Sequence, residues 1–197
     1  MQQRKRMRAP ERRQQLLDVA RQVFGREGFH TVTMDAVARE AGITKPILYD
    51  HFSSKRDLYL ALLEADLSKL KDRVRTALET SKGNRERIRA SFQAYFDFVD
   101  EHADGFRLLM TEAVGAEGDF REMVARFRDD VHGVVTEVIV RESEGRVPKE
   151  EAWDVALGLI GMAETAAQAN PGASGEDRRR TVDTLVRLAW RGITGLA

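Results

Sequence analysis

Residues 33–57 read TMDAVAREAGITKPILYDHFSSKRD and carry the clearest structural pattern in the chain. Thr33 is suited to cap a short helix, and Gly42 breaks that helix after about two turns. Thr44 then caps a second short helix, which has a proline in its first turn, where the missing N–H costs nothing. Two short helices joined by a glycine turn form a helix-turn-helix, and Ala38 is small enough to let them cross closely.

The second of these helices has an exposed polar start. Ile43 and Leu48 are predicted to pack it against the first helix, alongside Phe52. The side chains that this packing leaves outward are Thr44, Lys45, Pro46 and, one turn later, Tyr49. In such motifs the first residues of the second helix enter the major groove and meet base edges, so we expect double-stranded DNA as a partner.

Helical periodicity continues through nearly the whole chain, and we predict an all-α fold. The further predicted helices cover residues 10–27, 54–82, 85–102, 106–114, 120–144, 149–169 and 176–195. We expect two domains. Residues 1–52 form a three-helix helix-turn-helix domain with a basic N-terminal arm, and residues 53–197 form a helical bundle for dimerisation and ligand binding.

Composition narrows the class of protein. The net charge is zero, but residues 1–56 hold twelve basic and six acidic side chains, a net charge of +6, and residues 57–197 hold twenty and twenty-six, a net charge of −6. A basic head on an acidic body is expected when the head alone meets a polyanion. The chain has no cysteine, and we expect no metal, no cofactor, no secretory signal and no membrane span, which favours a cytoplasmic protein.

The motifs resemble those of the tetracycline-repressor (TetR) family. The resemblance covers about residues 13–62. It rests on Gly28-Phe29, Thr33-Met34, Val37-Ala38, Ala41-Gly42-Ile43-Thr44-Lys45 and Leu48-Tyr49-Asp50-His51-Phe52-Ser53-Ser54-Lys55, all in the expected order and spacing. Val32 stands where many members have threonine, and Pro46 where many have glycine; neither departure threatens the assignment. Residues beyond this region match only as a variable helical bundle, so the resemblance names no ligand.

The resemblance implies a role for each DNA-facing residue. Thr33 would hold a phosphate, while Thr44, Lys45 and Pro46 would lie at the floor of the groove. Tyr49 and His51 would meet the sugar-phosphate backbone or flanking bases, and Lys55 would take a phosphate at the start of the fourth helix. Tyr49 as a packing residue and His51 as a lid on the small core remain alternatives. The basic arm, residues 4–8, either follows DNA or is a solvated tail.

The last two helices predict a homodimer, because two half-sites give a helix-turn-helix protein the contact surface that one lacks. The penultimate helix is apolar around much of its circumference, and so has a second face to bury against a partner. TetR-like proteins dimerise through these two helices. The predicted interface comprises Trp153, Ile160, Ala163, Ala167, Leu185, Ala189, Trp190 and Ile193. Core packing within a monomer is the alternative.

Bulky apolar residues crowd the middle helices and, as a set, predict a pocket for an apolar or aromatic small-molecule effector. The candidate lining is Phe92, Tyr95, Phe96, Phe106, Met110, Phe127 and Trp153, with Glu164 and Gln168 as polar anchors. Each single residue is also compatible with ordinary core packing, and the two polar residues with an exposed position.

These features together predict a sequence-specific transcriptional regulator, a repressor released from a pseudo-palindromic operator by its effector. A transcriptional activator is the main alternative, since DNA binding does not decide what polymerase then does. A small helical enzyme is a further alternative. It is disfavoured because His30, His51, His102 and His132 form no helical metal pair and no nucleophile elbow or phosphate loop is present.

Overall fold

The structure is a computed structural model that describes residues 8–102, 118–170, 172–173 and 175–192. Within these ranges every regular element is a helix, which confirms the all-α prediction. The helices of this part of the chain are α1 (Ala9–Glu27), α2 (Met34–Glu40), α3 (Lys45–Tyr49), α4 (Lys55–Thr80), α5 (Asn84–Glu101), α6 (Gly118–Glu142), α7 (Lys149–Ala169) and α8 (Gly175–Arg191). The helix predicted over 106–114 lies outside the described residues. No described helix combines the length and apolar character that crossing a lipid bilayer requires.

Local signals set the ends of the first helices. α1 stops where Gly28 adopts a φ of +77°, and the Gly28 N–H donates to the Phe24 carbonyl oxygen at 2.8 Å. α2 starts where the Thr33 hydroxyl accepts from the Ala36 N–H at 3.2 Å. Between α2 and α3, Gly42 has a φ of +63°, a left-handed conformation that costs other L-residues roughly 1–2 kcal/mol. The turn of the helix-turn-helix therefore depends on glycine.

The start of α4 has a modified capping box. The Ser54 hydroxyl accepts from the Asp57 N–H at 3.0 Å. The Asp57 carboxylate returns to Ser53 instead of Ser54, accepting from its N–H at 2.8 Å and from its hydroxyl at 3.1 Å. Two backbone donors at this helix start are thus satisfied by two neighbouring side chains.

The chain forms two compact units, residues 1–66 and 67–197. The division falls inside α4, later than the boundary between residues 52 and 53 that the sequence predicts. The first unit has a core drawn from all its helices, with Leu16, Phe24, Val37, Leu48, Phe52, Leu58 and Tyr59 among its buried side chains. The first unit also contains an ion pair between α1 and α4. The Arg21 Nε donates to Asp66 Oδ2 at 3.0 Å, and Asp66 is buried.

The second unit has two core clusters. The first is Leu70, Val74, Leu78, Phe98, Val131, Val135, Val138 and Ala156. The second is Phe92, Phe96, Val99, Ala163, Ala167, Val182 and Val186. The second part of α4 therefore packs with α6 and α7, while α5 packs with α7 and α8. Burying an aliphatic or aromatic side chain of this size contributes about 1.5–3 kcal/mol, so each cluster holds several helices together.

Candidate DNA-binding surface and effector cavity

Helices α2 and α3 form the helix-turn-helix predicted from the sequence. Leu48 is fully buried, and the Ile43 N–H donates to the Ala38 carbonyl oxygen at 3.0 Å. These contacts hold α3 against α2 and leave one face of α3 outward. The exposed side chains at that face are Thr44, Lys45, Pro46, Ile47 and Tyr49. The outward positions of Thr44, Lys45, Pro46 and Tyr49 agree with the prediction from the sequence. Contact of these residues with DNA stays a prediction.

The two threonines that begin these helices use their hydroxyls differently. Thr33 caps α2 through its bond to Ala36. Thr44 stands at the start of α3 in an extended backbone conformation, with φ −84° and ψ 152°, but among the described residues its side chain makes no capping hydrogen bond. The Thr44 hydroxyl is thus not committed to its helix, and it can serve a phosphate or a base edge.

Lys45 is joined to an acidic residue that the sequence analysis did not select. Its Nζ lies 3.0 Å from Asp35 Oδ1, and both side chains are more than half exposed. The hydrogen bond to Asp35 raises the pKa of the Lys45 ammonium, so the group stays charged. In the sequence Asp35 is typical of a first-turn acid that complements the dipole of α2. Its pairing with Lys45, ten residues later, depends on how α2 and α3 cross.

Ile47 is a second residue that the sequence analysis missed. It is 40% exposed, although an isoleucine in a short helix is ordinarily taken for core. The sequence does contain a signal for this outward position. Leu48 points inward, and Ile47, the preceding residue of the helix, is rotated from it by about 100°. An exposed aliphatic side chain beside Lys45 can pack on a thymine methyl group.

Lys55 and His51 lie in more enclosed positions than the other predicted contacts. The Lys55 Nζ donates to the Phe29 carbonyl oxygen at 2.8 Å and to the His30 carbonyl oxygen at 3.2 Å. The ammonium therefore ties the start of α4 to the loop after α1, and its contact with phosphate stays a prediction. His51 is half-buried, and its carbonyl oxygen accepts from Arg13 Nη1 at 3.2 Å. Both alternatives for His51 stay open. Of the basic arm, only Arg8 is within the described residues.

The second unit contains a partly open cavity of about 280 Å³. Its walls are mainly aliphatic, with Leu70, Val74, Leu78, Ile88, Val131, Val135, Val138, Ile139, Leu159 and Ile160 among the lining residues. Four of the predicted residues also line it: Phe92, Tyr95, Phe127 and Glu164. The lining on α6 extends from Phe127 to Glu142, which is about 22 Å along a helix. The wall of the cavity therefore follows more than half of the length of α6.

The remaining predicted pocket residues lie elsewhere. Phe96 is fully buried in the second core cluster, so it supports the wall without reaching the space. Trp153 is 38% exposed, and its ring contacts that of His132 at a centroid distance of 5.2 Å. Gln168 is exposed on α7. Phe106 and Met110 lie outside the described residues.

Two ion pairs border the cavity. The Arg128 Nε donates to Glu164 Oε1 at 3.1 Å, and the Arg128 Nη2 donates to Glu164 Oε2 at 3.0 Å. The Arg87 Nη1 lies 2.8 Å from Glu142 Oε2. Burial raises the pKa of the Tyr95 phenol, and the Glu164 carboxylate raises it further. Tyr95 is therefore a neutral hydroxyl at physiological pH and can donate a hydrogen bond.

The predicted dimer residues separate into exposed and buried sets. Trp153 and Trp190 are exposed, together with Val155 and Leu157 on α7. Ala163 and Ala167 are buried in the second core cluster, and Leu185 and Ala189 pack against that cluster. Ile160 lines the cavity, and Ile193 lies outside the described residues. The apolar surface available to a partner thus consists of the larger side chains on α7 and α8.

Both parts of the chain match known sequence families. The family described as "Bacterial regulatory proteins, tetR family" matches residues 16–62. The family described as "Tetracyclin repressor-like, C-terminal domain" matches residues 84–192, which is more than half of the chain. The first match contains most of α1, all of α2 and α3, and the start of α4, and the second contains α5 to α8.

Individual proteins are similar over nearly the full length. The HTH-type transcriptional activator FasR of Mycolicibacterium smegmatis is 35% identical over 93% of this chain and 84% of its own. A tetR-family transcriptional regulator from Streptomyces coelicolor has a structure with a TM-score of 0.76 at 29% identity, covering 93% of this chain and 80% of that one. The regulator FadR from Bacillus subtilis, in complex with stearoyl-CoA, has a TM-score of 0.72 at 14% identity, covering 91% of this chain and 98% of that one. At that identity the likeness to FadR concerns the fold.

Proposed function

The chain belongs to the TetR family of DNA-binding transcriptional regulators, and from this premise we propose that it releases DNA when an effector with a long aliphatic chain fills its cavity. The DNA-binding element is the helix-turn-helix of α2 and α3. The proposed DNA contacts are Thr33, Thr44, Lys45, Pro46, Ile47, Tyr49, His51 and Lys55. Since its target is chromosomal DNA, its proposed place of action is the cytoplasm.

The volume and lining of the cavity carry the proposal for the effector. A volume of about 280 Å³, with lining residues spread over about 22 Å of α6, is able to hold a single chain of methylene groups. Aliphatic side chains dominate the walls, and hydrocarbon gains about 25 cal/mol for each Å² of surface removed from water. The stearoyl-CoA bound by the B. subtilis regulator has an aliphatic chain of this kind.

Helix α4 is the proposed link between effector and DNA. Its first part contributes Leu58 and Tyr59 to the core of the first unit, and its second part contributes Leu70 and Val74 to the cavity wall. A ligand that prefers one arrangement of the wall shifts the population of α4 positions. In a homodimer, this shift changes the spacing of the two helix-turn-helix motifs, which must match half-sites at least one DNA turn apart.

We propose repression as the default action, because a protein bound across a promoter excludes polymerase until the effector releases it. Activation is the second candidate, since FasR is named an activator and is 35% identical over 93% of this chain. Transcription in vitro from a promoter carrying the selected site separates the two. Addition of the protein lowers transcript yield if it is a repressor and raises it if it is an activator.

The effector proposal is tested with DNA selected from a random double-stranded library. Fatty acids and acyl-CoA esters of increasing chain length are titrated into the protein–DNA complex, and fluorescence anisotropy reports release. We expect release to strengthen with chain length up to a limit set by the cavity. The variant Val135→Phe fills the space and abolishes release while DNA binding persists, whereas Val140→Phe, on the same helix but not among the lining residues, retains it. Release that ignores chain length, or that survives in Val135→Phe, contradicts the proposal.

A further inference from the structure

The two ion pairs at the cavity wall differ in accessibility. The side chains of Arg87 and Glu142 are 16% and 25% exposed. Arg87 also donates to the Leu78 carbonyl oxygen at 3.1 Å and to Asn84 Oδ1 at 3.0 Å. By contrast, the Arg128 side chain is 43% exposed, while its partner Glu164 is 18% exposed. The Arg128 side chain is therefore more open to solvent than that of Arg87, and we take its end of the cavity as the entrance.

Arg128 retains hydrogen-bonding capacity beyond its bond to Glu164. A guanidinium has five N–H donors, and Glu164 accepts from one on Nε and one on Nη2. The second edge of the group, Nη1 with the other Nη2 hydrogen, has the geometry for a bidentate bond to a carboxylate or phosphate. Glu164 fixes the plane of the guanidinium, so little side-chain entropy is lost when a second anion binds.

Tyr95 adds a donor at the same place. It lines the cavity with Arg128 and Glu164, and it is close enough to both for their charges to act on its phenol. Because the hydroxyl stays protonated, it can donate to an oxyanion that Arg128 holds. The rest of the lining from Leu70 to Leu78 and from Val131 to Val138 is aliphatic and has no group for a charged atom.

We propose that Arg128 is the head-group receptor of the cavity, binding the carboxylate or phosphate of an amphiphile with its second edge while the aliphatic chain runs toward Arg87 and Glu142. Glu142 follows Arg128 by fourteen positions on α6, a distance of about 21 Å, which sets the length available to the chain. This inference rests on the proposed function, since it assigns the orientation of the ligand in that cavity.

The test compares ligands that share a chain and differ in the head. Dodecanoate, dodecanoyl-CoA and neutral dodecanol are titrated by calorimetry into the wild-type protein, Arg128→Gln and the control Arg126→Gln, an exposed arginine of the same helix. We expect Arg128→Gln to weaken at least one of the two anions by about ten-fold or more, the usual effect of losing a charge-assisted hydrogen bond. Dodecanol should change by less than about two-fold, and Arg126→Gln should bind like the wild type.

The anion that responds identifies the source of the head group. A loss confined to dodecanoate identifies the carboxylate, and a loss confined to dodecanoyl-CoA identifies a phosphate. Equal weakening of all three ligands gives Arg128 a purely structural role and overturns the inference, as does unchanged binding of both anions. The variant Val135→Phe tests separately whether the cavity holds the aliphatic chain, as the proposed function requires. If it does, Val135→Phe blocks the binding of dodecanol as well as that of the two anions, whatever the role of Arg128. If Val135→Phe binds every ligand normally, the cavity itself is not the site.

Discussion

Lys45 and Asp35 form an exposed ion pair on the surface proposed to meet DNA. Exposed pairs of this kind contribute little to folding, so the pair has its main effect on binding. A carboxylate beside the phosphate backbone is repelled, and it also holds the ammonium that would neutralise a phosphate or donate to guanine. In the major groove the same carboxylate can accept from the N4 amino group of cytosine. Asp35 is thus expected to lower general affinity while adding sequence preference.

We predict that Asp35→Asn increases affinity for random-sequence DNA and makes its salt dependence steeper. The logarithmic slope of affinity against salt should change by about one phosphate equivalent, because Lys45 is released from its partner. The preference for one particular base should weaken at a single position, which occurs once in each of the two symmetric half-sites. Fluorescence anisotropy at several salt concentrations gives the slope, and selection from a random library gives the preference.

Two companion variants calibrate this result. Lys45→Ala should weaken specific binding and make the salt slope shallower by about one equivalent. Asp72→Asn makes the same change of charge at an exposed position of the second unit and should leave both slope and preference unchanged. If Asp35→Asn behaves like Asp72→Asn, the ion pair has no part in DNA binding.

At the scale of helices, the sequence predicted existence and bounds well because the signals are local. The helix predicted over 149–169 is found as Lys149–Ala169, and that predicted over 85–102 is found as Asn84–Glu101. The sequence predicted the lining of the cavity less well than it predicted the helices, because α5 has aromatic residues on several faces. Phe92 and Phe96, one turn apart, both belong to the second core cluster, but only Phe92 also lines the cavity. Such a distinction depends on the rotation of each helix against its neighbours, which periodicity alone does not give.

Arg87 connects three helices at the wall of the cavity. Its guanidinium meets the last turn of α4 at Leu78, the first turn of α5 at Asn84, and the end of α6 at Glu142. We predict that Arg87→Ala destabilises the protein by about 1–3 kcal/mol, because a largely buried carboxylate and carbonyl lose a charged donor. Urea unfolding followed by circular dichroism measures the change. Arg85→Ala, an exposed neighbour in the same turn, should cost less than about 0.5 kcal/mol. Equal costs for the two variants would contradict this role of Arg87.

At the scale of the whole molecule, charge and oligomeric state act together. The second unit, residues 67–197, has twenty basic and twenty-three acidic side chains, a net charge of −3, so it does not favour nonspecific contact with a polyanion. One helix-turn-helix offers too little surface for strong specificity. The protein is therefore expected to depend on joining two such motifs. The exposed apolar side chains on α7 and α8 provide a surface for dimerisation. Ala163 and Ala167, which were predicted to lie in the dimer interface, instead pack in the core of their own subunit.

We predict that Leu157→Asp converts a homodimer into monomers and abolishes tight binding to a two-half-site DNA fragment. Leu157 is 51% exposed on α7, so the substitution has little effect on the subunit's own core. In a dimer interface, however, it buries an unpaired carboxylate, at a cost of several kcal/mol. Light scattering after size-exclusion chromatography gives the mass of the particle, and anisotropy gives the DNA affinity. Ser68→Asp introduces the same charge at an exposed position of α4 and should leave the dimer intact. A Leu157→Asp protein that remains dimeric with normal DNA affinity would place the interface elsewhere on the second unit.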